Sequence, residues 1–382
     1  MRLIKCSTLK LKEFFEPDIP PYAILSHTWG QDEVTFKDFT RNRWRHKKGA
    51  QKILELCHLA LTDKLEYAWI DTCCIDKLSS AELTEAINSM FRWYKSSTYC
   101  YVYLSDFRGL SRDSYTTFTD SRWFTRGWTL QELIAPRVIR FYDRNWSYYK
   151  SMGDIPAQSN EGLIEAISKK TKVPKKILTK QSLLSGVPVA QIMSWASERQ
   201  TKRQEDLAYC LLGLFDIHLP LIYGEGTRAF IRLQEEIIRE KNDLTIFAWQ
   251  QPTNTHYRGM LAHSPNEFRN GANIVRLFSR VDTTSDFMMT NKGLKIGISD
   301  ARADQLWLPL DCYYGDGEEF FKDRDQSKST LAISLRIGRS GIYMRESLAL
   351  GFYSRAFEAR NQIYVFKDIN FLKKPLLAPE IE

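Results

Sequence analysis

No stretch of this 382-residue chain approaches the ~18 consecutive apolar residues of a membrane-crossing helix. Charge breaks every apolar run in the opening MRLIKCSTLKLKEFFEPD. Neither a membrane span nor a secretory signal is expected, and the chain is assigned to the cytoplasm. The seven cysteines are an odd set without a Cys-x-x-Cys pair, which argues against a disulfide framework and against a zinc site; reduced thiols, no metal and no resident cofactor are expected. There is no Gly-x-Gly-x-x-Gly fingerprint. The YGEG at 223–226 lacks a following Gly-Lys-Ser/Thr and reads as a turn before a helix. No internal repeat and no low-complexity tract stands out. The net charge of +8 is modest for this length, so nucleic acid is not an expected partner, and the basic RNRWRHKK at 41–48 reads as a solvated loop. What the chain does contain is 43% hydrophobic and 13% aromatic residues, enough to bury cores in two or three domains.

Four segments read as buried strands: YAILSHTW from 22, EYAWIDT from 66, TYCYVYLSD from 98 and RVIRFYD from 137. Between them, 51–64 and 82–95 carry apolar stripes at helical spacing, the second opening on Ser79 and Glu82 in capping-box spacing. Strand and helix alternate here, which predicts an α/β domain with a parallel sheet over about 20–147. Three divisions are expected: an α/β domain at 1–149, a helical region at 150–249 and a β-rich domain at 250–382.

Ligands of such sheets bind at the carboxyl ends of the strands. Those ends carry Ser26, His27, Thr28, Trp29 and Gly30 after the first strand and Asp71 after the second. Ser26, Thr28 and Gly30 form a short polar loop able to offer backbone amides to a phosphate or carboxylate. His27 is a base or a structural hydrogen-bonding residue. Asp71 binds a ribose hydroxyl or caps a turn. Cys73 and Cys74, read as adjacent residues of an extended chain, point to opposite sides and pack. Trp29, Trp123 and Trp128 stack on a planar base or fill the core. In SRWFTRGWTLQEL at 121–133, Trp128 and Glu132 stand four apart, so on a helix the indole and the carboxylate share a face. Such a carboxylate is poorly solvated, which raises its pKa and marks it as a site candidate; an ordinary helix Glu is the other reading.

PPYAILSHTWG, YAWIDTCCIDKLSSAELTEAINSMFRWYKSSTYCYVYLSD and RGWTLQEL, in this order, resemble the heterokaryon incompatibility (HET) domain of filamentous fungi, and the helical part resembles the segment that commonly follows that domain, so the likeness reaches about residue 250 and fades beyond it. The resemblance implies a part in non-self recognition after fusion of unlike cells, ending in programmed cell death, with an unidentified incompatibility partner protein. The HET domain in turn resembles the TIR domain, a flavodoxin-like α/β module, some members of which cleave NAD between nicotinamide and ribose. By that likeness Glu132 is the catalytic carboxylate and Trp128 its companion. Ser26, His27, Thr28, Trp29, Gly30 and Asp71 are then the substrate-binding positions, NAD is a substrate rather than a cofactor, and activation involves homo-oligomers. Arg126 and Gly127 depart from the TIR pattern before the Trp, as do Cys73 and Cys74 after Asp71. The alternative expectation is a non-catalytic, self-associating death-signalling adaptor.

Overall fold

The computed structural model describes residues 1–109, 115–153, 160–250, 257–278, 286–298, 305–316, 319–323, 330–338, 341–346, 351–353 and 361–367. They divide into two compact units. The first comprises 1–183 and 199–222, the second 184–198 and 223–382, so the helical stretch is shared between them.

The first unit runs β1 (Arg2–Lys5), β2 (Lys10–Glu13), β3 (Tyr22–His27), α1 (Phe36–Thr40), α2 (Ala50–Thr62), β4 (Tyr67–Trp69), α3 (Asp71–Cys74), α4 (Ser80–Ser96), β5 (Tyr99–Tyr103), α5 (Tyr115–Thr119), α6 (Thr129–Ile134), β6 (Ile139–Tyr142) and β7 (Tyr148–Met152). Seven strands form one sheet in the order β2-β1-β4-β3-β5-β6-β7. Its four inner strands are the segments expected from sequence, and they are parallel. Every residue of β3 is buried, as a strand covered on both faces requires.

The sheet is mixed rather than wholly parallel. β1 pairs antiparallel with β2 and β4, and β7 with β6. The hairpin turn has Leu9 at φ 53°, and β2, KLKE, is largely exposed. Its charges blunt the sheet edge and also hide its strand pattern.

Side chains alternate along β3, so Ser26 and His27 face opposite sides of the sheet. His27 meets Lys52 of α2. Ser26 meets Glu132 of α6. On the Ser26 side, α4 brings Tyr94, whose hydroxyl donates to the Leu25 carbonyl at 3.2 Å. Ser79 accepts from the Glu82 amide as an N-cap, but Glu82 itself accepts from the Asp76 amide, so the expected capping box is half formed. Another departure is α3. Asp71 to Cys74 coil into one helical turn with Thr72, Cys73 and Cys74 buried, so the two cysteines are not on an extended chain.

The first unit also includes α7 (Glu161–Thr171) and α8 (Lys175–Leu178); α9 (Val189–Trp195) belongs to the second, and α10 (Asp206–Tyr209) and α11 (Leu212–Phe215) return to the first. α11 packs tightly on α4, since a Cβ on Gly213 would lie 2.1 Å from the Phe91 Cβ. Gly213→Ala is expected to cost about 1–3 kcal/mol by overpacking. Thermal melting of the substituted protein checks this, and an unchanged midpoint would refute it.

The second unit continues with α12 (Arg228–Glu240), then β8 (Tyr257–Arg258), β9 (Ile274–Phe278), β10 (Met288–Thr290), β11 (Gly293–Ile298), β12 (Gln305–Pro309), β13 (Cys312–Tyr314), β14 (Phe321–Asp323), β15 (Thr330–Ile337), β16 (Tyr343–Glu346), β17 (Gly351–Tyr353) and β18 (Asn361–Val365). The expected β-rich character is present. An eight-stranded sheet centres on β18, β16 and β15, and β13, β9 and β14 form a smaller one. Segments such as LWLPLDCYY, STLAISLRIG and QIYVFKDI read as strands from the sequence, and β12 with β13, β15 and β18 overlap them, apart from positions outside the described residues. Among the described residues no helix is long and apolar enough to cross a membrane.

Candidate functional site

Glu132 belongs to α6, a six-residue helix whose every side chain is buried; Trp128 is its N-cap and Pro136 follows its end. The Glu132 side chain turns toward the carboxyl end of β3. Ser26 Oγ donates a short hydrogen bond to Glu132 Oε2. Ser26 Oγ in turn accepts from Trp123 Nε1 at 2.7 Å. Thr129, one turn before Glu132, donates to the Trp123 carbonyl at 2.6 Å and also lies 2.9 Å from the Arg126 carbonyl.

Glu132 is only 7% exposed. Burial pushes its pKa up to about 8, with the negative charge of Asp71 adding to the effect, while bonds from Ser26 and Tyr94 and the positive charge of Arg199 act against it. The carboxyl is therefore mostly protonated at neutral pH. Desolvation by burial outweighs the three stabilising partners.

The indole on this hydrogen-bonded chain is Trp123. Trp128 stands half-buried in helical backbone geometry one turn from Glu132, in the spacing expected from sequence. Spacing within α6 points to Trp128, whereas the buried Trp123, on a 3-10 turn at Arg122–Thr125, is the one that donates to Ser26.

His27, Asp71 and Trp29 form a second cluster, with His27 facing the opposite side of β3 from Ser26. Lys52 Nζ lies 2.9 Å from His27 Nδ1, and since an ammonium only donates, Nδ1 accepts and Nε2 is the ring's donor to Asp71 Oδ1 at 3.2 Å. Both ring nitrogens are engaged, which suits a structural bridge better than a free base. Asp71 also accepts from Trp29 Nε1 at 3.0 Å and from Lys77 at 3.1 Å. Burial works to raise the Asp71 pKa, but Lys77 and His27 outweigh it and hold the carboxyl well below its ordinary range. Trp29 is 41% exposed, with the Lys77 ammonium 3.6 Å from its ring centre. Thr28 Oγ1 accepts from Arg122 at 3.2 Å.

Sequence reasoning missed Glu33. Its carboxylate accepts from the Gly30 amide at 2.7 Å and pairs with Lys52. The loop amide expected to greet an incoming anion is thus held by one of the protein's own. The signal was present as a capping-like spacing of three from Gly30 to Glu33.

Residues 22–114 match the family model of the heterokaryon incompatibility protein (HET). This segment is similar to the HET domain. The match begins at β3, passes β5 and ends at residue 114, so it includes the Ser26 to Gly30 loop and Asp71 while α6 and Glu132 lie outside it. Residues 228–288 match a domain of unknown function, DUF8212. The chain is also similar to the vegetative incompatibility protein HET-E-1 of Podospora anserina, at 48% identity over 228 residues. That alignment covers 57% of this chain but 16% of HET-E-1, so the chain spans a small part of the relative's length. No solved structure matches the chain.

Ser26→Ala removes both the donor to Glu132 and the acceptor for Trp123 from a buried setting. A loss of about 1–3 kcal/mol for each orphaned partner is expected, read by denaturant unfolding near pH 6, where Glu132 is neutral. Stability equal to the parent would show that neither bond matters.

Proposed function

We propose that this chain acts in heterokaryon (vegetative) incompatibility, the recognition of unlike fungal partners that ends in cell death, and that its α/β unit cleaves NAD at the nicotinamide–ribose bond with Glu132 as the catalytic carboxylate. The HET domain and the likeness to HET-E-1 support the biological part. The parallel strands β4-β3-β5-β6 follow the order second-first-third-fourth, that of flavodoxin-like and TIR-like sheets. The chemistry rests on one observation: Glu132 is a buried carboxyl with a raised pKa, hydrogen-bonded to the carboxyl end of β3. β3 borders the point where strand order reverses, the usual ligand crevice of such sheets.

In the reaction the ribose C1′–N bond breaks and its electron pair leaves with nicotinamide, which becomes neutral and needs no general acid. The ribose is left oxocarbenium-like. An ionised Glu132 stabilises that charge and orients the ribose hydroxyls. Water then adds to C1′ and releases a proton, giving ADP-ribose. For NAD to enter, the Glu33 carboxylate moves off the Gly30 amide, leaving it to the pyrophosphate, and Trp29 takes a flat ring. Self-association on activation would drive this opening.

A second reading, a non-catalytic self-associating adaptor, is favoured by the 7% exposure of Glu132. NAD loss measured with purified full-length protein and with Glu132→Gln separates them. The enzyme reading expects loss with the parent and none with the variant. A parent that leaves NAD untouched even when concentrated or clustered sinks it.

A further inference from the structure

Residues 199–202 arrive at the Glu132 site 73 positions after Arg126 and lie across it as a strap. The Gln200 amide donates to the Thr125 carbonyl at 2.7 Å, and the Gly127 amide donates to the Gln200 carbonyl at 2.9 Å, making an isolated parallel bridge just before α6. The fit is close. A Cβ on Gly127 would meet Thr201 Cγ2 at 2.5 Å and Cys210 Sγ at 3.2 Å, which explains why a glycine stands before Trp128. At its far end the Lys202 ammonium lies 5.6 Å from the centre of the Trp29 ring. One short segment therefore touches both the α6 side and the Trp29 loop.

Arg199 is the centre of this contact. It is 7% exposed, and its Nη1 donates to the Arg126 carbonyl at 2.8 Å and to Thr129 Oγ1 at 3.0 Å. From there the polar groups run in sequence: Thr129 Oγ1 to the Trp123 carbonyl, Trp123 Nε1 to Ser26 Oγ, and Ser26 Oγ to Glu132. We propose that the strap of residues 199–202 completes the Glu132 site, with Arg199 as a positioning residue that holds the Thr129–Trp123–Ser26 chain against the carboxyl.

The groups acting on Glu132 come from every element around it. Ser26 of β3 donates to it, the Tyr94 hydroxyl of α4 favours its charged form, Asp71 of α3 repels its charge, and Arg199 attracts it. The Cys100 thiol of β5 also feels it. Of these, Arg199 is the positive charge, and its burial leaves its field little screened by solvent. Both Glu132 and Arg199 lie beyond the 22–114 match, so a fragment cut to the HET domain lacks the carboxyl and its regulator together.

The consequence for catalysis rests on the NAD reading, but the test needs no substrate, so either can fail alone. The full-length protein is labelled with ¹³C at Glu side chains and the Glu132 carboxyl is followed by NMR against pH, its signal identified by its loss in Glu132→Gln. Arg199→Gln is expected to raise the proton affinity of Glu132 at least three-fold, and Arg199→Lys, which keeps the charge, to stay within two-fold of the parent. A folded Arg199→Gln protein with an unmoved midpoint overturns the proposal. If Arg199→Gln does not fold, Thr129→Val decides. It severs the chain at near-constant volume and is expected to shift the Trp123 indole N–H resonance and hasten its exchange with solvent. An indole signal identical to the parent's overturns the proposal.

Discussion

Glu132→Gln is expected to melt at a higher temperature than the parent at pH 9 and at nearly the same temperature at pH 4. Burial raises the Glu132 pKa from 4.5 to about 8, so between those values the folded chain holds a proton that the unfolded chain has lost. Stability therefore falls as pH rises through this window and levels off above it. At about 1.4 kcal/mol per unit, the full shift is worth at most about 5 kcal/mol. The glutamine has no proton to give up, and it still accepts from Ser26, so it escapes the penalty. Asp71 works the other way. Its pKa is depressed by Lys77 and His27, so its contribution is present above about pH 4 and is lost as pH falls through its folded value. Melting curves of parent and variant that stay parallel from pH 4 to 9 would refute the buried-carboxyl assignment.

The same substitution is expected to lower NAD loss at least ~100-fold, the usual effect of deleting a group that stabilises transition-state charge. Because the ionised form is the active one, the parent's kcat/KM should climb with pH until about 8 and then flatten. A stabilised variant that has lost activity is the signature of a functional group held at a cost to the fold. A variant that gains stability and keeps NAD loss would separate burial from catalysis and leave the carboxyl a structural one.

Arg345→Leu is expected to destabilise the second unit by about 3–5 kcal/mol, the cost of breaking a buried charged network. The side chain is 3% exposed, yet its guanidinium donates to the Phe247 carbonyl at 2.8 Å and to the Trp249 carbonyl. It also lies 3.6 Å from the centre of the Trp249 ring. Burial lowers its pKa, with Glu267 acting to raise it again and Arg258 to lower it. Arg258 is itself paired with Glu267 at 3.2 Å, so one acid balances two guanidiniums around one indole. Leucine restores neither donor, and both carbonyls remain buried. Differential scanning calorimetry should show the transition of the second unit moving down while that of the first stays in place. A change below about 1 kcal/mol would mean that water replaces the lost donors.

Much of the first unit was legible in the chain. Runs such as YAILSH and YCYVY are buried on both faces, and apolar content over so short a length leaves few structures other than an inner strand. The stripes of α2 and α4 were as plain, because each helix buries one face against the sheet. The hairpin of β1 and β2 and the edge strand β7 were not. Edge strands need little apolar surface, so their residues resemble loops until a neighbouring strand pairs with them. The turn at Asp71 to Cys74 failed for a related reason: four residues carry no period to read.

The candidate site divides in the same way. Glu132 was visible from its own neighbourhood, since spacing within a helix is a local property and an indole one turn away already suggests poor solvation. His27, Thr28, Trp29, Gly30 and Asp71 were placed at the carboxyl ends of strands by alternation alone. The separation of the His27–Asp71 cluster from Ser26 and Glu132 was not, because it depends on which helix covers which face of β3. Trp123, Glu33 and Arg199 gave no strong local signal. Each matters through a partner distant in sequence or an anion it displaces, and hydrogen bonds such as Trp123 to Ser26, 97 residues apart, exist only once the sheet has closed. Periodicity, burial and residue type determined the strands, the helices and the presence of a carboxyl that the fold would desolvate. Tertiary structure decided what surrounds that carboxyl, because desolvation and charge at one atom are summed over every element packed against it.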